Sequence, residues 1–303
     1  MIMAGAAAGY ALLAGAAVPY ALARAGWPHR SPALGVLAWQ GLTLSFIVAT
    51  ALAVYHLVLT DRHVHDGLVG LLSACGPGQA VSKAVASPPT VADAALLLMP
   101  ATVVLLPLGW LARTAWHTRR ERRRHADLLA MVGTDADDYG VTIVEYTVPA
   151  VYCLPGRGCR IVVTRGALDV LTDEQLRAAL EHERAHILGR HHLLRLFARA
   201  FARAFPGLPL ARLAEAQTAL LLEMNADDRA LRFHSRDALA TALCEVAAGR
   251  VPAATLGASG PGALIRLRRI LSPQTKPHRA TGLGVVIASI AAPILPLLLV
   301  CVH

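Results

Sequence analysis

Three residues at fixed spacing, and a fourth further along, are of the types that hydrolyse amide bonds. His182, Glu183 and His186 form the pattern H-E-x-x-H. Side chains four apart share a face of a helix, so the two imidazoles can turn toward one cation. Glu183 borders the first histidine, where a carboxylate can take a proton from an activated water and pass it to a leaving amine. Zinc is the expected ion, because catalytic zinc accepts nitrogen and carboxylate ligands and uses three of them from the protein. Glu223 is the expected third ligand. Asp227 stands one turn beyond it on an otherwise apolar stretch, and a buried carboxylate is costly unless it is paired or metal-bound. It is expected to accept a hydrogen bond from a ligand histidine and fix its tautomer. Arg229 is expected to neutralise the acidic pair, and Asn225 to play no part. For oxyanion stabilisation His234 is the leading candidate, ahead of His191, His192 and Tyr152.

The elements that must hold these residues are legible around them. Thr172 is a suitable N-cap before Asp173, Glu174 and Gln175, and no proline interrupts the run until Pro206. The stretch from Leu220 to Leu231 reads as a second helix. Upstream, residues 149–156 and 160–168 read as a β-hairpin. Cys153 and Cys159 flank its turn and are expected as free thiols in a reducing compartment. Further on, 237–248 reads as an amphipathic helix. Residues 263–271, with Arg266, Arg268 and Arg269, read as a short basic helix packed on the site.

H-E-x-x-H followed by Glu223-x-x-Ala226-Asp227, with the hairpin before it, resembles the gluzincin membrane peptidases over residues 119–272. These are the HtpX and CAAX-prenyl-protease group and the BlaR/MecR-type signal transducers. The resemblance implies a zinc endopeptidase in which a strand of the hairpin, here Val151, Tyr152 and Cys153, pairs with the substrate backbone. Edge strands offer unpaired N–H and C=O groups for this. The order of the apolar segments favours the BlaR/MecR arrangement. The penicillin-binding sensor domain that those proteins carry after the last membrane helix is not found before the chain stops at His303.

Composition then places the site in a membrane protein. Of 303 residues 55% are hydrophobic and 16% charged, with a mean hydropathy of +0.49. About 20 apolar residues cross the hydrocarbon core, and four stretches suffice: 2–23, 33–59, 92–112 and 281–301. Basic loops stay inside. Arg113, Arg119, Arg120, Arg122, Arg123 and Arg124 therefore put the end of the third span in the cytoplasm, and Arg24 with Arg30 agree. The net charge of +9 is nearly all arginine, Lys83 and Lys276 being the only lysines. Beside a membrane segment it reads as a topology anchor that touches anionic lipid. Nucleic acid is not expected.

The expected fold is a mainly α membrane protein: four transmembrane helices and a cytoplasmic α+β zincin-like metallopeptidase domain with a small β-hairpin or sheet. Its expected divisions are 1–112 for the first three spans, 113–280 for the peptidase domain and 281–303 for the last span. Both termini fall outside a bacterial plasma membrane. The expected function is cleavage of a cytoplasmic or juxtamembrane protein, a transcriptional repressor among the candidates. Quality control of damaged membrane protein is a second reading, and a non-catalytic transducer or scaffold stabilised by zinc a third. The expected partners are a protein or peptide substrate and the bilayer, with self-association left open. Transport is disfavoured because the spans lack paired ionisable residues.

Overall fold

Alanine, leucine and valine dominate the first 58 residues, and the chain answers with helices. In the computed structural model of the protein, residues 2–58, 91–136, 141–155, 160–250, 260–272 and 279–301 are described. The expected external loop with Cys75, and Cys159 of the cysteine pair, lie outside these residues. Helix α1 (Ile2–Leu12) passes through a π turn (Leu13–Ala17) into α2 (Val18–Arg24). A single-turn α3 (Trp27–Arg30) redirects the chain into α4 (Pro32–Val58). Helix α5 (Val91–Val132) is 42 residues long and carries Pro100 and Pro107 inside it. It does not end where its apolar part ends but continues through the arginine run.

Four short strands follow: β1 (Gly133–Ala136), β2 (Val141–Val144), β3 (Val151–Leu154) and β4 (Arg160–Thr164). They form one mixed sheet in the order β1-β2-β4-β3. β2 and β4 are parallel, and β3 pairs antiparallel with β4, Tyr152 opposite Val162. β3 is thus an edge strand. Thr164 closes the corner after β4, its hydroxyl donating to the Val148 carbonyl at 2.9 Å and capping the next helix. A Cβ on Gly166 would run into the Thr147 carbonyl, so only glycine fits there.

The remaining helices are α6 (Arg165–Val170), α7 (Asp173–Leu188), α8 (His191–Ala204), α9 (Pro209–Ala230), α10 (Arg236–Arg250) and α11 (Gly260–Leu271). The last apolar stretch, expected as one span, forms α12 (Arg279–Ala291) and α13 (Leu295–Cys301), with a turn between them. Proline explains the break. Pro296 has no N–H to give the Ala292 carbonyl. That carbonyl instead accepts from the Ser45 hydroxyl at 2.7 Å and the Tyr10 hydroxyl at 3.2 Å. Among the described residues, three helices are long and apolar enough to cross a membrane: Ala4–Arg24, Pro32–Leu57 and Leu98–Val132. Thr281–Ala291 is a shorter apolar helix.

One core joins the apolar N-terminal helices to the helices that carry the site. Trp39, Phe46 and Ile47 of α4 pack with Phe201 of α8 and with Leu210, Leu221, Leu222 and Met224 of α9. Each such buried side chain contributes about 1.5–3 kcal/mol. Gly35 of α4 lets α9 approach: a Cβ there would sit 2.9 Å from the Leu221 Cδ1. A second core of Val141, Ile161, Val163, Leu176 and Leu180 fixes α7 on the sheet.

Candidate active site

Helix α7 begins with a capping box. The Thr172 hydroxyl accepts from the Gln175 N–H while the Gln175 side chain accepts from the Thr172 N–H. Asp173 and Glu174 in the first turn suit the positive end of the helix dipole. The helix stops at Gly189, and Arg190 takes a left-handed turn with φ of 48°. His182 and His186 therefore lie on one face near its end, and α9 crosses them with Glu223.

The donor atoms of these three residues converge. His182 Nε2 and His186 Nε2 are 3.2 Å apart. Glu223 Oε2 lies 3.6 Å from the former and Oε1 3.7 Å from the latter. Ligands around a tetrahedral zinc are spaced by roughly 3.3 Å, from bond lengths near 2 Å. The arrangement fits a metal on chemical grounds as well: two imidazole nitrogens and a carboxylate converge, a donor set that zinc accepts.

The surroundings hold these ligands in place. His182 Nδ1 is 3.0 Å from Asp227 Oδ1. Asp227 is fully buried and receives a two-pronged pair from Arg266, Nε to Oδ2 at 2.9 Å and Nη2 to Oδ1 at 2.7 Å. Arg266 Nη1 also lies 3.1 Å from Glu223 Oε2. Burial disfavours the imidazolium of His182, yet the Asp227 and Glu223 carboxylates outweigh it and hold its pKa at about 9 in the metal-free state. Burial also opposes the charge on Glu223, but the two histidines and Arg266 keep it well below the usual carboxylate range. Behind His186, the Nδ1 of His191 approaches its Nδ1 to 2.8 Å. The Asn225 amide lies 3.2 Å from the other nitrogen of His191. Burial, then the neighbouring His186, lowers the His191 pKa to about 4. Gly189 makes room for that ring, since a Cβ would stand 2.5 Å from His191 Nε2.

Glu183 points to the sheet. Its Oε2 accepts the backbone N–H of Cys153 at 2.9 Å, which ties the carboxylate to edge strand β3. The cleft here measures about 830 Å³ and is lined by Val151, Tyr152 and Cys153 together with His182, Glu183, His186 and Glu223. A carboxylate held between a candidate cation site and an edge strand could move a proton at an extended peptide.

Several expectations change. Arg229 does not face Glu223 and Asp227. Its Nε donates to Glu181 at 2.8 Å, and Arg266 takes the place foreseen for it. His234 follows α9 in a turn and is not part of the cleft lining. His191 stands behind a ligand ring and not over the reacting groups. The Tyr152 hydroxyl is engaged with His125 Nε2 at 2.9 Å, and Tyr152, His191 and His192 all line the cleft. Asn225, expected to be idle, touches His191. Arg266 was missed, although its spacing from Arg269 on one face of a basic helix was a signal. Arg269 turns the same way and pairs with Asp228 at 2.7 Å.

Two histidines and a carboxylate that could hold a metal ion lie beside a glutamate tied to the sheet, set among helices apolar enough to associate with a membrane. Residues 115–219 match Peptidase family M48, which supports an M48 metallopeptidase, a class typically dependent on zinc. His182, Glu183 and His186 fall within the matched residues, and Glu223 and Asp227 just beyond them. No curated protein and no solved structure matches the chain.

Proposed function

We propose that the protein is an integral-membrane zinc endopeptidase that cleaves a cytoplasmic or juxtamembrane protein. The observation that carries this reading is the convergence of His182, His186 and Glu223 within 4.8 Å of one another, next to Glu183 and an edge strand. His182, His186 and Glu223 would hold the zinc. When bound, the ion supplies Lewis acidity to a water and to the scissile carbonyl. Glu183 takes the proton of the water and delivers it to the departing amine. The Cys153 N–H orients its Oε2, leaving Oε1 for that exchange. Asp227 and Arg266 hold the His182 ring, and His191 stands behind His186. The substrate lies along Val151, Tyr152 and Cys153. In an antiparallel pair, residues alternate between facing the partner strand and facing out. With Tyr152 turned to β4, the backbone of Val151 faces outward.

The arginine-rich end of the third span sets the site on the cytoplasmic side, with the last apolar stretch as a fourth crossing. The order of segments supports the BlaR/MecR type over the HtpX type, so a transcriptional repressor is the first substrate to try. Purified protein should carry close to one zinc per chain and lose it in His182→Ala. In Glu183→Ala the zinc stays and cleavage of an unfolded reporter falls by about 10²–10⁴-fold, the usual worth of a general base. Undiminished cleavage by that variant would end the assignment.

A further inference from the structure

The cleft beside the metal centre has one wall whose positive charge the protein leaves unanswered. Thr114, Thr118 and Arg122 recur every fourth residue on α5, so they share a face, and all three line the cleft. This sets Arg122 apart within its own run. Arg119, Arg120, Arg123 and Arg124 are exposed, whereas Arg122 is half-buried. On α8, His192, Arg195 and Arg199 recur along one face and line the same cleft. Among the described residues, Arg122 and Arg199 have no carboxylate within ion-pair distance. Arg195 reaches only Glu223, at 3.4 Å, whose charge is committed to the metal. Glu215 is also in the lining but forms no ion pair with any of them. Arg122 is drawn partly out of water, which is costly without a counter-charge; Arg195 and Arg199 are exposed, and the planar fork of each matches a carboxylate.

We propose that Arg122 and Arg199, assisted by Arg195, form a subsite that receives a carboxylate of the polypeptide being cut, so that the preferred substrate is acidic beside the scissile bond. This rests on the peptidase reading of the site. The carboxylate belongs either to an Asp or Glu side chain or to a free C-terminus. The outward-facing arginines are the ones placed to meet anionic lipid. Of that run only Arg122 lines the cleft, which the edge strand also borders.

The test uses zinc-loaded full-length protein in neutral detergent and three short fluorogenic peptides. The first has internal Glu residues and an amidated C-terminus. The second has Gln at the same positions and an amidated end. The third has Gln with a free C-terminus. Cleavage and, separately, binding to the Glu183→Gln variant are measured, the second by fluorescence anisotropy. The expected result is about a tenfold preference for the first or the third peptide over the second, from one charge-assisted pair. Which of the two is preferred identifies the source of the carboxylate. Charge reversal in Arg122→Glu with Arg199→Glu should abolish that preference and favour a Lys-substituted peptide, with zinc content unchanged as the check on folding. Equal cleavage of all three peptides overturns the subsite and leaves the peptidase reading standing. Absence of cleavage with an intact binding preference overturns the peptidase reading and leaves the subsite standing. Loss of binding to phosphatidylglycerol vesicles in the reversed variant, without any peptide preference in the parent, assigns the arginines to lipid and overturns the proposal.

Discussion

Asp227 and Arg266 form the charge pair that backs His182 in the candidate metal site. Both are withdrawn from solvent, and breaking such a pair from one side costs about 3–5 kcal/mol because the other charge is stranded. Arg266→Met should therefore lower the unfolding free energy by that amount. Asp227→Asn should weaken zinc binding by about 10–100-fold, measured by competition with a chelating dye. Unchanged affinity in both variants would mean that His182 is held by packing alone. The stripped protein should also show a pH signature. The His182 pKa is raised to about 9 when folded, against about 6.5 when unfolded. Its contribution to stability is thus complete below pH 6.5 and is lost as pH climbs through 9. The melting temperature of chelated protein should fall over that window, and the fall should vanish in His182→Gln. At this scale the residues that converge were legible, since H-E-x-x-H and Glu223 stand out by type and spacing. Their supports were not. Arg229 is only two residues from Asp227, and side chains two apart on a helix do not face each other. Arg266 reaches Asp227 from 39 residues away through packing of α11, which no local pattern encodes.

Helix α7 could be foreseen in kind because its cap and apolar spacing agree with where it lies; α9 (Pro209–Ala230) has no side-chain cap and was legible only in its second half, from Leu220. Thr172→Ala removes the cap of α7 and should cost about 1 kcal/mol. Gly189→Ala pushes on the His191 ring that backs His186, so zinc affinity should drop while the helix itself persists by circular dichroism. Retention of full affinity would show that His191 does not support its neighbour. The hairpin was legible as well, but not which of its strands is free. That follows from the parallel pairing of β2 with β4, a long-range choice that leaves β3 at the rim. The last apolar stretch, read as one helix, is divided into two for a simpler reason. Hydropathy counts Pro293 and Pro296 as tolerable in a span, whereas each removes a backbone donor and the chain turns there.

The apolar helices and the catalytic helices share a core, which composition alone does not disclose. Phe201 of α8 packs edge-on against Phe46 of α4, with ring centres 6.0 Å apart. Phe201→Ala should cost about 3–5 kcal/mol, and its effect should be markedly non-additive with Phe46→Ala. A chain beginning at Arg113 should fail to bind zinc even in detergent, because α9 loses the surface of α4 on which Glu223 is held. Soluble, zinc-bound protein from that truncation would refute the shared core. The continuity of α5 has a metric consequence. It is a single rod about 60 Å long at 1.5 Å per residue, and the apolar stretch in it ends at Ala112. Thr114, Thr118 and Arg122 therefore stand about 3–15 Å beyond that level. On the proposed peptidase reading the rod is a ruler: it would gauge how far from the bilayer a tethered polypeptide is severed, to within the reach of about five extended residues.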